Sequence, residues 1–118
     1  MYEYEIKAKR VIDGDTIVVD VDLGFGVWLQ DKHVRVYGVN TPEKNTQEGV
    51  KAKGYTTQFM SHDSSKFTIT VLDHKSDKYG RILGSIKRKD VTSSIDLAES
   101  LIANQEGKPY FGGKKDVG

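Results

Sequence analysis

The chain has 118 residues, enough for one domain with a modest core and not for a second lobe. It has no cysteine, which excludes a disulfide framework and any thiolate metal centre. Eighteen basic and 17 acidic residues leave a net charge of +1, so bulk charge does not mark a nucleic-acid binder; such a site would have to be built from a few placed cations.

Read in chain order, the first part is β-rich. Met1 to Lys7 contains no apolar leader, and no stretch approaches the length of a membrane span. The chain as it stands is therefore expected to be intracellular, and secreted only if a signal has been removed. Tyr4 to Ile12 predicts a first strand, and Asp13-Gly14-Asp15 a turn. Thr16 to Asp22, dense in β-branched residues, predicts a second strand. Gly24-Phe25-Gly26 predicts a turn, and Val27 to Val36 a third strand. Thr46 is placed to cap a helix running to about His62, with Ala52, Tyr55, Thr56 and Phe59 on its buried face. Gly49 and Gly54 count against that helix.

Phe67 to Leu72 predicts a fourth strand and Arg81 to Ile86 a fifth. Ser93 to Asp96 matches a capping box opening a second helix, which would run to about Asn104 and stop at Gly107. Lys108 to Lys115 predicts a loop, with 110–118 a flexible tail. Three strands, a helix, two strands and a helix fit a mainly β (α+β) domain, a five-stranded barrel of the OB type with two to three helices, spanning residues 1–118.

Four short pieces carry the chemistry. Asp13 and Asp15 flank Gly14, so two carboxylates two residues apart can approach one hard cation; an acidic β-turn has the same pattern. Arg35 stands in a valine-rich strand, with Val34 and Val36 facing the core when Arg35 faces away. A guanidinium there suits phosphate oxygens, and an exposed sheet arginine is the plainer alternative. Asn40-Thr41-Pro42-Glu43 follows the strand end, where Pro42 fixes the bend and backbone carbonyls can ligate a cation. Asp77-Lys78-Tyr79-Gly80-Arg81 brackets an aromatic residue with cations, a pattern shared by phosphate contacts and by polar hairpins.

Other catalytic patterns fail. Asp20 to Gly24 lacks the later positions of a calcium loop. His33, His62 and His74 lie too far apart for a zinc helix. There is no serine elbow, no P-loop and no dinucleotide fingerprint.

Val11 to Thr16, Val34 to Glu43 and Asp77 to Arg81, in this order and separation, resemble the thermonuclease (staphylococcal nuclease-like) family from about Lys9 to Tyr110. The resemblance implies a nuclease that hydrolyses DNA and RNA with calcium, magnesium or manganese being possible substitutes. It implies Asp15 and the Thr41 carbonyl as metal ligands, with Asp13 beside the metal. Asn40 stands where the family has a second aspartate ligand. Glu43 would be the general base, and Arg35 and Arg81 the phosphate-binding arginines. Lys78, Tyr79 and, more loosely, Tyr110 would contact substrate. The implied partners are nucleic acids, single strands preferred, with no membrane and a monomeric protein. Asn40 removes one negative charge from the site, so weaker metal binding is expected. A binding module of the same fold that cuts weakly or not at all is the alternative function.

Overall fold

A computed structural model describes residues 2–61, 66–73 and 81–111. The elements run β1 (Glu3–Asp13), β2 (Thr16–Gly24), β3 (Val27–Val36), β4 (Gly38–Asn40), α1 (Gln47–Met60), β5 (Lys66–Asp73), β6 (Ile82–Lys89), β7 (Ser94–Asp96), α2 (Leu97–Ala103) and β8 (Lys108–Tyr110). Strands β3-β2-β1-β5-β6-β7 form one sheet in that order. A parallel pairing of β3 with β6, Val34 with Ile82 through Val36 with Gly84, closes β1, β2, β3, β5 and β6 into a barrel. Closure removes most sheet edges and encloses the side chains that point inward. The expected five-stranded OB-type barrel is what the chain forms, with two helices among the described residues.

The interior is aliphatic. Ile17, Val19, Val34, Val36, Ile69 and Ile86 line the barrel, and Leu97 and Leu101 of α2 pack on the same core. The valine-rich runs read as strands because branched side chains at alternate positions fill a narrow barrel in few rotamers. Bulges in the pairing of β1 with β2 and of β2 with β3 bend the strands enough to close it.

Helix α1 follows the predicted span and face. Thr46 is its N-cap, accepting from the Gly49 N–H, and Ala52, Thr56 and Phe59 are buried. It lies across the β1–β2 turn, where the Thr56 hydroxyl donates to the Gly14 carbonyl at 2.7 Å.

The second half departs from the reading in three places. Ser94–Asp96 is a strand that pairs with Lys87–Lys89, so a helix cannot open at Ser93; these backbone groups are taken by the β6 ladder. The helix begins at Leu97 instead, and Asp96 caps it by accepting from the Glu99 N–H at 3.0 Å. It ends at Ala103 with Asn104 as its C-cap, as the expected run to about Asn104 has it, but the stop is made by Asn104 and then Gln105, at φ 61°, and not by Gly107. Lys108–Tyr110, expected as loop, pairs with Gly38–Asn40 as β8. That short ladder explains Gly107: a Cβ there would lie 2.5 Å from Cγ2 of Val39.

Candidate functional site

The barrel brings together the ends of segments that are distant in sequence. The β1–β2 turn presents Asp13, Gly14 and Asp15. Thr16 pairs with Arg35, and the Val36 N–H donates to the Asp15 carbonyl at 2.9 Å, so Asp15 and Arg35 sit side by side. Asp15 is buried, and its carboxylate is bound on both oxygens. Oδ1 accepts from the Thr16 hydroxyl at 3.1 Å, and Oδ2 accepts from the Thr41 N–H at 3.0 Å. The Arg35 Nη2 stands 3.6 Å from the same Oδ2.

Arg35 is held from several sides. Its Nη1 donates to the carbonyls of Val36 and Val39, both at 2.8 Å, and its Nη2 donates to Asn40 Oδ1 at 3.2 Å. These bonds tie the guanidinium to the corner where β3 turns into β4, at Gly38 with φ 93°. Its neighbours Val34 and Val36 are buried, as the alternation predicts. Pairing of Gly38 with Tyr110 brings β8 to the same place, and the Arg35 guanidinium carbon lies 5.7 Å from the Tyr110 ring centroid.

Glu43 is exposed, but its backbone is fixed. Its carbonyl accepts from the Thr46 N–H at 3.0 Å and from the Thr46 hydroxyl at 2.7 Å. That hydroxyl in turn caps α1. Gly49 permits the arrangement, since a Cβ there would fall 1.7 Å from the Glu43 carbonyl oxygen. Sequence reasoning counted Gly49 against the helix and missed this role; a glycine three residues after a capping threonine was the available signal. Gly14 is constrained likewise, with Thr41 Cγ2 2.8 Å and Ala52 Cβ 3.0 Å from where its Cβ would be.

The acidic groups feel one another. Burial pushes the Asp13 carboxyl above the ordinary carboxylate value, and the charges of Asp15 and Glu43 push it further; Lys44 and Lys53 act in the opposite sense. Lys44 and Lys53, cations beside this acidic group, belong to none of the motifs singled out above. Asp13 Oδ1 and Thr41 Oγ1 are buried without a hydrogen-bond partner. Unpartnered buried oxygens beside crowded carboxylates are the environment a hard cation relieves. Among the described residues no three His, Cys, Asp or Glu side chains gather into a metal-binding group. A cation here would therefore rest on few charges and on neutral oxygens such as those of Asn40 and Thr41.

Arg81 is half-buried and stands one residue before Ile82, which pairs with Val34, so it enters the barrel beside β3. Lys78 and Tyr79, with Asp77 and Gly80, lie outside the described residues. A cleft of about 280 Å³ opens next to this cluster, lined by Asn40, Thr41, Pro42, Gln105, Glu106, Gly107 and Lys108.

The family model for staphylococcal nuclease homologues matches residues 33–107, more than half of the chain.

The chain belongs to that family.

It is 34% identical over 105 residues to a thermonuclease of Staphylococcus intermedius, covering 86% of this chain and 59% of the relative. It is 31% identical over 120 residues to Endonuclease YhcR of Bacillus subtilis (strain 168), covering 92% of this chain and 9% of that protein. It is 33% identical over 84 residues to an uncharacterized endonuclease of Escherichia coli, covering 71% of this chain and 48% of the relative. The chain thus spans only part of the curated relatives it matches. These staphylococcal nuclease homologues carry nuclease names, and the matched segment contains Arg35, Asn40, Thr41, Glu43 and Arg81. No helix among the described residues is long and apolar enough to cross a membrane.

Proposed function

We propose that this chain is a calcium-dependent nuclease that hydrolyses phosphodiester bonds of DNA and RNA. One observation carries the reading: Asp15, Arg35, Asn40 and Thr41 come together from separate strand ends through contacts of 3.0–3.6 Å, with Glu43 two residues beyond Thr41. Phosphodiester hydrolysis needs a proton acceptor for water and positive charge facing the phosphate.

The Asp15 carboxylate, the Asn40 amide oxygen and the Thr41 carbonyl would hold the calcium ion, with Asp13 beside it. The bound ion supplies Lewis-acid polarisation of a phosphate oxygen. Glu43 takes a proton from water at its exposed carboxylate, a role worth about 10²–10⁴ in rate. Arg35 and Arg81 neutralise the charge that grows on the phosphate, and removing either costs on the order of 10² or more. Lys78, Tyr79 and Tyr110 belong to the substrate side of this reading. Single strands are the favoured substrate, because their bases are free to stack on an aromatic ring.

Asn40 gives the weak-nuclease alternative its footing, since its side-chain oxygen accepts from Arg35 at 3.2 Å and adds no charge. Labelled single-stranded DNA incubated with calcium, magnesium, manganese or chelator separates the two. Cleavage that requires a divalent ion supports the enzyme. Binding without cleavage in every ion supports the module.

A further inference from the structure

A second set of polar groups lies away from this cluster, between the two helices and the end of the barrel, where the core-facing side of β5, β6 and β7 runs on past Ile69 and Ile86. In the ladder of β5, β6 and β7, Arg88 pairs with Phe67 on one side and with Ile95 on the other, so the three share a sheet face. The last turn of α1 covers that face with Phe59, whose ring centroid is 6.3 Å from that of Phe67. An open cleft of about 270 Å³ remains, lined by Tyr55, Gln58, Phe59, Arg88, Ile95 and Ser100.

Arg88 is under-used there. Its guanidinium carbon lies 4.6 Å from the Phe59 ring centroid, and its Nη1 makes one long hydrogen bond, 3.4 Å, to the Phe59 carbonyl. Its Nε is buried with no acceptor. Among the described residues no carboxylate pairs with it. A guanidinium carries five N–H donors and no acceptor, so among the described residues most of this one's donors have no acceptor.

The remaining lining groups have the same bias. The Tyr55 and Ser100 hydroxyls are hydrogen-bonded to each other, and the Asn104 amide donates to the Tyr55 oxygen at 2.9 Å. Two hydroxyls that share one hydrogen bond keep one proton to donate elsewhere. The Gln58 amide adds further donor capacity, Phe59 and Ile95 form an apolar wall, and among the described residues no acidic side chain lines the cleft.

We propose that this cleft is a binding site for a small oxyanion, a phosphate or a carboxylate, held by the Arg88 guanidinium and the Tyr55–Ser100 hydroxyl pair. A planar guanidinium matches both anions by paired N–H contacts. The volume sits at the small end of ligand pockets, which fits a compact body carried by the anion and not a strand of nucleic acid. The site is independent of the cleavage chemistry, because none of its residues belongs to the Asp15–Arg35–Glu43 cluster.

The test is titration of the ¹⁵N-labelled chain with inorganic phosphate and, separately, with benzoate, followed by amide and arginine side-chain NMR. Saturable shifts centred on Arg88, Ile95 and Ser100 are expected. They weaken at least tenfold in Arg88→Gln, with thermal melting and DNA cleavage unchanged. Arg88→Lys, which keeps the charge without the fork, lies between; if Arg88→Gln does not fold, Ile95→Trp fills the cleft and abolishes the shifts with Arg88 intact. A response to phosphate alone assigns the site to phosphate esters, one to benzoate alone to carboxylates, and one to both to oxyanions generally. No saturable shift at these residues, shifts confined to Arg35 and Thr41, or equal binding in Arg88→Gln would overturn the proposal.

Discussion

Arg35 Nη2 donates to Asn40 Oδ1 at 3.2 Å, while standing 3.6 Å from Asp15 Oδ2. The same guanidinium therefore touches the neutral and the charged member of the expected ligand pair. Asn40 acts here as a partner that orients Arg35, and the carboxylate count of the site stays low.

Asn40→Asp adds a charge at that position without changing its size. Calcium affinity rises with ligand charge, so the variant should bind calcium about tenfold tighter, roughly 1.4 kcal/mol. Calorimetric titration of both proteins measures it. Equal or weaker affinity would remove Asn40 from the ligand set and leave it the Arg35 contact alone.

Gly49→Ala tests the platform under Glu43. The new methyl group would lie 1.7 Å from the Glu43 carbonyl oxygen, a backbone atom that cannot rotate away. The loop and the helix start must separate, at a cost of about 1–3 kcal/mol, the range for an overpacked site. Melting temperature should fall, and cleavage should fall further than stability alone explains because Glu43 moves. A variant with parental melting and parental activity would show that the loop is not held as described.

Thr56→Val removes the hydroxyl that donates to the Gly14 carbonyl at 2.7 Å and keeps the side-chain shape. A buried carbonyl then loses a donor, which costs about 1–3 kcal/mol. Chemical denaturation reads this directly. The turn carrying Asp15 should also lose protection from amide hydrogen exchange.

Asp13→Asn addresses the crowded carboxylates in calcium-free buffer. The folded-state value of Asp13 lies above the unfolded one, first because of burial and then because of Asp15. The ionised form thus penalises folding at neutral pH, and the penalty disappears as pH falls from the folded-state value toward the unfolded one. Asp13→Asn should therefore be more stable than the parent at pH 7, with the difference closing near about pH 4. Melting curves in chelator at the two pH values measure it. A gain that is the same at both would assign the effect to something other than titration.

Much of this was legible in the sequence because it was repeated at several levels. The β-branched runs 16–22 and 27–36 are strands as their composition indicates, Val34 and Val36 are buried on either side of Arg35, and α1 buries Ala52, Thr56 and Phe59 at helical spacing. Three ordered motifs, led by Asp13-Gly14-Asp15-Thr16 and Asn40-Thr41-Pro42-Glu43, pointed to the family. What was not legible depended on partners distant in sequence. Ser94–Asp96 reads locally as a helix start, and only the exposed edge of β6 makes it a strand. Tyr110 reads as tail, and only pairing with Gly38 carries it to Arg35. Gly49 reads as a helix fault, and only the Glu43 carbonyl lying against it shows its use. Lys78 and Tyr79 were named from their motif and lie outside the described residues.

The most direct measurement is the rate at which the purified chain and its Glu43→Gln variant digest labelled single-stranded DNA in calcium and in chelator. The account predicts metal-dependent cutting by the parent, lost in chelator, and a rate about 10²–10⁴ lower for Glu43→Gln at unchanged melting temperature. Digestion by Glu43→Gln at the parental rate, or by the parent in chelator at the rate seen in calcium, would contradict it.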